Sequence, residues 1–179
     1  ATWALAGCTS RSALARGADL GGCPVRITAG HTREAMDPVR FITNPSSGKM
    51  GYALAAEAAR RGAAVTLVSG PVELAPLRGV EVVNVVSAEE MWQAVSARAD
   101  RAGLLIFCAA VGDYKPKAVS ASKIKKTGGG LTLELVPTPD IALETAKRAR
   151  AGQLRVGFAA ETNDLEKNAK GKLSKKKLD

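Results

Sequence analysis

Five short apolar runs constrain this chain more than anything else in it. They are residues 25–30 (VRITAG), 63–70 (AAVTLVSG), 80–86 (VEVVNVV), 104–112 (LLIFCAAVG) and 154–160 (LRVGFAA). Each contains β-branched residues, most densely residues 80–86, and most of the runs end at a glycine. The run 104–112 is continuously apolar, which marks a strand buried on both faces. Helical patterns separate most of the runs. Strands alternating with helices imply an α/β fold: a doubly wound, mostly parallel Rossmann-like sheet with helices on both faces. Such a sheet binds ligands in the crevice at the carboxyl ends of its strands. The loops after Gly30, Val111 and Ala160 lie at such ends.

The helical segments carry their own punctuation. Residues 47–61 place Met50, Leu54 and Ala58 on one face, and Gly62 follows as a C-cap. Ser87 is an N-cap for a helix to about residue 101, with Glu90 at the capping-box position. A long polar loop, 113–130, precedes an alternating run, 131–136, that suits an edge strand. A Pro-started helix is expected over 137–150. From Asp164 onward a last helix puts Leu165, Ala169 and Leu173 on one face. Residues 1–23 show no sustained period and read as a linker or poorly ordered segment, leaving 24–179 as one domain. The chain lacks an initiating methionine and stops inside a helical pattern, so it reads as a fragment at one or both ends.

Composition bears on the partners. At 46% hydrophobic but 4% aromatic, the core must be built from Val, Leu, Ile and Ala. Net charge is +9, which suits nucleic acid, an anionic membrane or phosphorylated small molecules. Lys167, Lys170, Lys172, Lys175, Lys176 and Lys177 crowd the carboxyl end. Cys8, Cys23 and Cys108 form no CxxC pair and are odd in number. That argues for a reducing, cytoplasmic setting and against a zinc site or a disulfide framework. Leu5-Ala6-Gly7-Cys8 looks like a lipoprotein cleavage box, but only four residues precede it. No run reaches membrane-spanning length.

Local chemistry singles out Pro45-Ser46-Ser47-Gly48. A helix starting there leaves backbone N–H groups and the positive end of the helix dipole for a phosphate. Asn44 lies beside it as an amide donor suited to a developing oxyanion. Asp113 follows a buried strand, where a carboxylate meets ribose hydroxyls or a phosphate-bound metal. Lys123, Lys125 and Lys126 sit in the long loop and can close over a polyanion. Pro139 opens a helix whose free N–H groups suit a base edge or phosphate. Phe158 serves equally well as a stacking platform or a core aromatic. Neither GxxxxGK[ST] nor GxGxxG is present at the first strand, so P-loop and nicotinamide-linked readings are weak. A nucleic-acid-binding module is disfavoured by the few aromatics and by lysines confined to one helix and one loop.

The run from Thr28 to Gly51, TAGHTREAMDPVRFITNPSSGKMG, resembles the signature of phosphopantothenoylcysteine synthetases in their bacterial, CTP-using form. His31 stands where proline is usual. Cys108–Tyr114 (CAAVGDY), Lys123–Lys126 (KIKK) and Gly157–Thr162 (GFAAET) match further motifs in order, and the resemblance covers about residues 25–179. It implies a ligase that activates 4′-phosphopantothenate with CTP and joins it to cysteine in coenzyme A biosynthesis. It implies that Asn44 acts on the acyl intermediate, and that Phe107, Cys108, Ala109, Asp113, Lys123, Pro139, Asp140, Ile141, Ala142, Phe158, Lys172 and Lys176 bind CTP. It further implies Mg²⁺ with the nucleotide and a homodimer. A flavin-dependent decarboxylase, with its FMN, is often fused ahead of such a domain. A nucleotide-binding fragment without turnover is the alternative. No catalytic role is expected for His31.

Overall fold

A computed structural model describes residues 19–158 and 163–179. Its centre is a five-stranded parallel sheet, made of β1 (Pro24–Ala29), β4 (Ala64–Ser69), β5 (Val80–Asn84), β6 (Leu104–Phe107) and β9 (Leu154–Gly157), in the order β5-β4-β1-β6-β9. β1 is central. The chain winds outward through β4 and β5 on one side and through β6 and β9 on the other. In register, Ile27 lies between Leu67 and Ile106. The winding direction therefore reverses between β1 and β6, which opens a crevice at their carboxyl ends.

Helices cover both faces, as the alternation predicts. α1 (Lys49–Arg60) packs Tyr52, Ala55 and Ala58 on Val25, Ile27, Val65 and Leu67. On the opposite face α2 (Ala88–Ala99) and α3 (Ile141–Ala146) bring Met91, Val95 and Ile141 against Val68 and Leu105. Small alanines let the helices lie close, so a core nearly free of aromatics still fills. The capping box of α2 forms: Ser87 Oγ accepts from the Glu90 N–H at 3.2 Å, and Glu90 reaches back to the Val86 N–H at 2.6 Å. α4 (Leu165–Lys175) closes the chain; Leu173 remains 47% exposed on it.

Several boundaries differ from the sequence pattern. The polar stretch after β1 contains a hairpin, β2 (Arg33–Ala35) with β3 (Phe41–Thr43). The alternating run 131–136 does not edge the main sheet. Only β8 (Leu135–Pro137) forms, and it pairs antiparallel with β7 (Tyr114–Pro116). Alternation reports a half-buried ribbon but not which partner it finds. The helix expected over 137–150 is α3 alone, because Pro137 ends β8, Pro139 disfavours a helical Thr138, and Asp140 is the N-cap. The apolar run 104–112 is strand only to Phe107, since its neighbour β1 ends at Ala29. Residues 159 and 160 of the run 154–160 lie outside the described residues.

Residues 19–23 dock on the end of α1. Leu20 and Gly22 N–H groups donate to the Arg61 and Gly62 carbonyls, and Asp19 pairs with Arg61. Cys23 is fully buried and disulfide-bonded, which the odd cysteine count did not lead us to expect. Cys108 is free. Among the described residues no helix is long and apolar enough to cross a membrane.

Candidate active site

The site is assembled by threonine hydroxyls that lace together the loops leaving β1 and β6. Thr28 Oγ1 accepts from the N–H groups of Cys108 and Ala109, at 3.1 and 3.2 Å. The Ala110 N–H donates to the Gly30 carbonyl at 2.8 Å. Fully buried Thr32 accepts the Gly112 N–H on its hydroxyl at 2.9 Å, and its carbonyl accepts from the Thr43 hydroxyl at 2.6 Å. Thr138 adds two bonds, its hydroxyl to the Gly112 carbonyl and its N–H to the Asp113 carbonyl. Of the predicted nucleotide contacts, the N–H groups of Cys108 and Ala109 are thus committed internally. What these residues can offer a ligand is a carbonyl oxygen or the Cys108 thiol. Partial burial raises that thiol's pKa and keeps it protonated.

The phosphate-type helix start faces the same crevice. α1 begins at Lys49, two residues later than the pattern suggests, with Gly48 as N-cap in the left-handed region (φ 73°). No side chain caps the helix. Ser46 Oγ instead accepts from the Gly48 N–H at 3.3 Å, tightening the turn before it. The first-turn N–H groups therefore lack a built-in acceptor. His31 ties this turn to β1: its Nδ1 lies 3.0 Å from the Ser46 carbonyl, and Arg33 Nε lies 3.3 Å from its Nε2. With the Arg33 guanidinium donating to Nε2, the proton sits on Nδ1 and is donated to Ser46. Asn44, exposed, donates from Nδ2 to the Val111 carbonyl at 3.1 Å. Its second N–H and its carbonyl remain available.

The other wall comes from α3, β9 and α4. Asp140 caps α3 by accepting from the Leu143 N–H at 3.1 Å, and pairs with Lys176 at 3.1 Å. Two predicted ligand residues are therefore in contact with each other. Ile141 and Ala142 are buried, so only their backbone can meet a ligand. Phe158 is 49% exposed at the end of β9, so it is not a core aromatic. The Phe107 ring lies under the buried Arg155 guanidinium, 5.3 Å from its centroid. Among the described lysine side chains of the carboxyl-terminal cluster, Lys172 and Lys176 are half-buried, while Lys170, Lys175 and Lys177 are exposed.

Lys123 lies farther out, in the loop between β7 and β8. The loop is held at Ile124 by the turn joining β2 to β3. Asp37 Oδ1 accepts the N–H groups of Val39 and Arg40, at 2.8 and 2.9 Å, and Oδ2 accepts the Ile124 N–H at 3.1 Å. Arg40 bonds Asp37 and also donates to the Ile124 carbonyl at 2.6 Å. Burial alone would raise the Asp37 carboxyl. The Arg40 guanidinium and three backbone N–H groups outweigh it and hold the group well below the usual carboxylate range. A depressed folded-state pKa means stability that is full above the ordinary carboxylate pKa and is lost only as pH falls through the lower value.

Thr28, Thr32, Asp37, Arg40 and Thr138 organise this site and were not singled out beforehand. All but Thr138 lie within the TAGHTREAMDPVR stretch, where their identity was visible but their partners, some eighty residues away, were not.

The comparisons agree with this architecture. A family model for the DNA/pantothenate metabolism flavoprotein C-terminal domain matches residues 20–179. The coenzyme A biosynthesis bifunctional protein CoaBC of Vibrio parahaemolyticus is 55% identical over 161 residues, covering 89% of this chain and 40% of that protein. The Escherichia coli K12 protein of the same name is 50% identical over 164 residues, with 90% and 40% covered. The chain thus spans about two fifths of the length of these curated relatives. A crystal structure of the C-terminal domain of a CoaBC protein superposes with a TM-score of 0.78 at 44% identity, covering 88% of this chain and 74% of that one. This chain belongs to the family of the DNA/pantothenate metabolism flavoprotein C-terminal domain.

Proposed function

We propose that this domain is a ligase that joins 4′-phosphopantothenate to cysteine at the expense of CTP, within coenzyme A biosynthesis. One observation carries the reading. The uncapped start of α1 follows Asn44, whose amide bonds the Val111 carbonyl after β6, at the switch point of a parallel sheet, and this supports a phosphate-bearing ligand there. In the first step a substrate carboxylate oxygen attacks the α-phosphorus of CTP and pyrophosphate leaves. In the second the cysteine amine attacks the acyl carbon, CMP leaves with the bonding pair, and the amine proton is released. The first-turn N–H groups of α1 suit the phosphate of phosphopantothenate. Lys123, Lys172 and Lys176 suit the triphosphate, and Phe158 suits the base. Asn44 would hold the acyl carbonyl.

Mg²⁺ fits as a companion of the triphosphate, not as a resident ion. Among the described residues no three His, Cys, Asp or Glu side chains gather as a metal cage. Magnesium with a nucleotide typically takes one or two carboxylates plus phosphate oxygens and water, and Asp113 is the carboxylate at hand. The ion would neutralise phosphate charge. The relatives' bifunctional name supports a second activity, such as a flavin-dependent decarboxylase, elsewhere in the whole protein.

CTP is expected to be preferred over ATP. Pyrophosphate release, measured with each nucleotide at equal concentration and with and without phosphopantothenate, tests this. Equal or faster turnover with ATP refutes the preference.

A second copy of this chain is the proposed protein partner. Val39, Phe41, Tyr114, Val119, Leu131 and Leu135 are each more than 40% exposed, and they belong to the two hairpins and the segments between their strands. Exposed apolar side chains on neighbouring hairpins favour burial against a partner. Light scattering is expected to give a dimer, and Leu135→Lys to shift it toward monomer. A monomeric wild type with full turnover overturns the dimer.

A further inference from the structure

We propose that Asp37 is a positioning residue for nucleotide use, holding Lys123 over the crevice by clamping the neighbouring residue Ile124. The inference rests on the CTP reading above and deepens it.

The geometry is that of a grip on one peptide unit. The Ile124 N–H goes to Asp37 Oδ2 at 3.1 Å and the Ile124 carbonyl to Arg40 at 2.6 Å. Asp37 and Arg40 are also paired with each other, which closes a ring through both polar groups of Ile124. A second tie, from the Ser120 N–H to the Met36 carbonyl at 2.9 Å, fixes the same segment one turn earlier. On either side of the grip Lys123 and Lys125 are exposed. The three glycines Gly128, Gly129 and Gly130 follow, with open space around each.

A buried carboxylate is expensive unless every lone pair is used. Asp37 has no exposed side-chain surface. Two N–H groups of its own turn satisfy one oxygen. The other takes the Arg40 guanidinium and, from 87 residues away, the Ile124 N–H. The turn's own pair thus doubles as the acceptor and the donor that hold the loop. The loop, for its part, carries lysines that repel one another, and free lysine side chains lose much of their value as ligands through the entropy of being ordered. Clamping Ile124 supplies that order before the nucleotide arrives.

Asp37→Asn separates this role from fold maintenance. The amide oxygen can keep the two turn bonds, but an NH₂ then faces the Ile124 N–H, donor against donor. Three measurements decide. Hydrogen exchange on the peptide containing Ile124, without ligand, is expected to lose protection in the variant. The KM for CTP is expected to rise about tenfold, with the KM for phosphopantothenate within about twofold. In a cycle with Lys123→Ala, the double variant is expected to be no worse than Lys123→Ala alone. If Asp37→Asn folds poorly, Ile124→Pro removes the loop's donor while leaving the Asp37 turn untouched, and is expected to give the same KM split, with Ile124→Ala as the control for the lost side chain. Additive effects, or an unchanged CTP KM in a variant whose loop has lost protection, overturn the inference while the ligase reading stands. A wild type that neither turns over nor binds CTP overturns both.

Discussion

Asn44→Asp is expected to halt amide formation while leaving the first half-reaction intact. The two side chains have nearly the same size, so the turn before α1 should persist. Their chemistry at this position is opposite. Asn44 Nδ2 donates to the Val111 carbonyl at 3.1 Å, which fixes the amide against the loop leaving β6. A carboxylate there turns an attraction to the carbonyl into a repulsion and offers negative charge to any oxyanion formed nearby. In the proposed mechanism, attack on phosphorus depends on the lysines and the nucleotide's metal. Attack of the cysteine amine makes a tetrahedral oxyanion at carbon, where one lost donor typically costs about 10²–10³ in rate. The variant should therefore release one equivalent of pyrophosphate and accumulate acyl-cytidylate, detectable by mass spectrometry after quenching. Wild-type product formation would remove Asn44 from the mechanism. Loss of pyrophosphate release would move its role to the first step.

What the sequence made legible follows from what is local. The five parallel strands and the α2 capping box are set by patterns within about fifteen residues, and each formed close to its expected place; the helix faces were read less well, since Met50 and Leu173 are exposed and α1 buries Tyr52 and Ala55 beside Ala58 instead. The hairpins were not legible. β2 and β3 are three residues each, too short for an alternation to register, and their pairing depends on the Asp37 turn. The site residues divide in the same way. Ser46, Gly48 and Asn44 declare themselves by sitting at a helix start. Thr28, Thr32 and Thr138 do their work through bonds to residues 26–81 positions distant, for which a lone threonine gives no signal. Phe158 was ambiguous because an aromatic after an apolar strand is equally at home inside or outside. Its exposure takes it out of the core.

Gly70→Ala is expected to be the most damaging single methyl group in this domain, because nothing near it can yield. A Cβ at this position would lie 1.9 Å from the His31 carbonyl oxygen and 2.7 Å from its carbonyl carbon, both backbone atoms. Gly70 follows β4 directly, and its N–H donates to the Ala29 carbonyl at 2.9 Å, so the two chain segments cannot separate without breaking the end of the sheet. Overpacking against side chains costs about 1–3 kcal/mol, and backbone cannot re-choose a rotamer, so about 3 kcal/mol or more is expected. For a domain of this length that lowers Tm by roughly 6–12 °C. The displacement also reaches the site. His31 holds the Ser46 carbonyl and pairs beside Ala110, so moving it pulls the α1 start away from the β6 loop. Pyrophosphate release should then fall even below the variant's Tm, where the fold persists. Gly129→Ala is the control, since a Cβ there meets nothing within 4 Å. If the two variants melt together and turn over equally, the close approach of β4's end to the β1 loop is not what holds the crevice in shape.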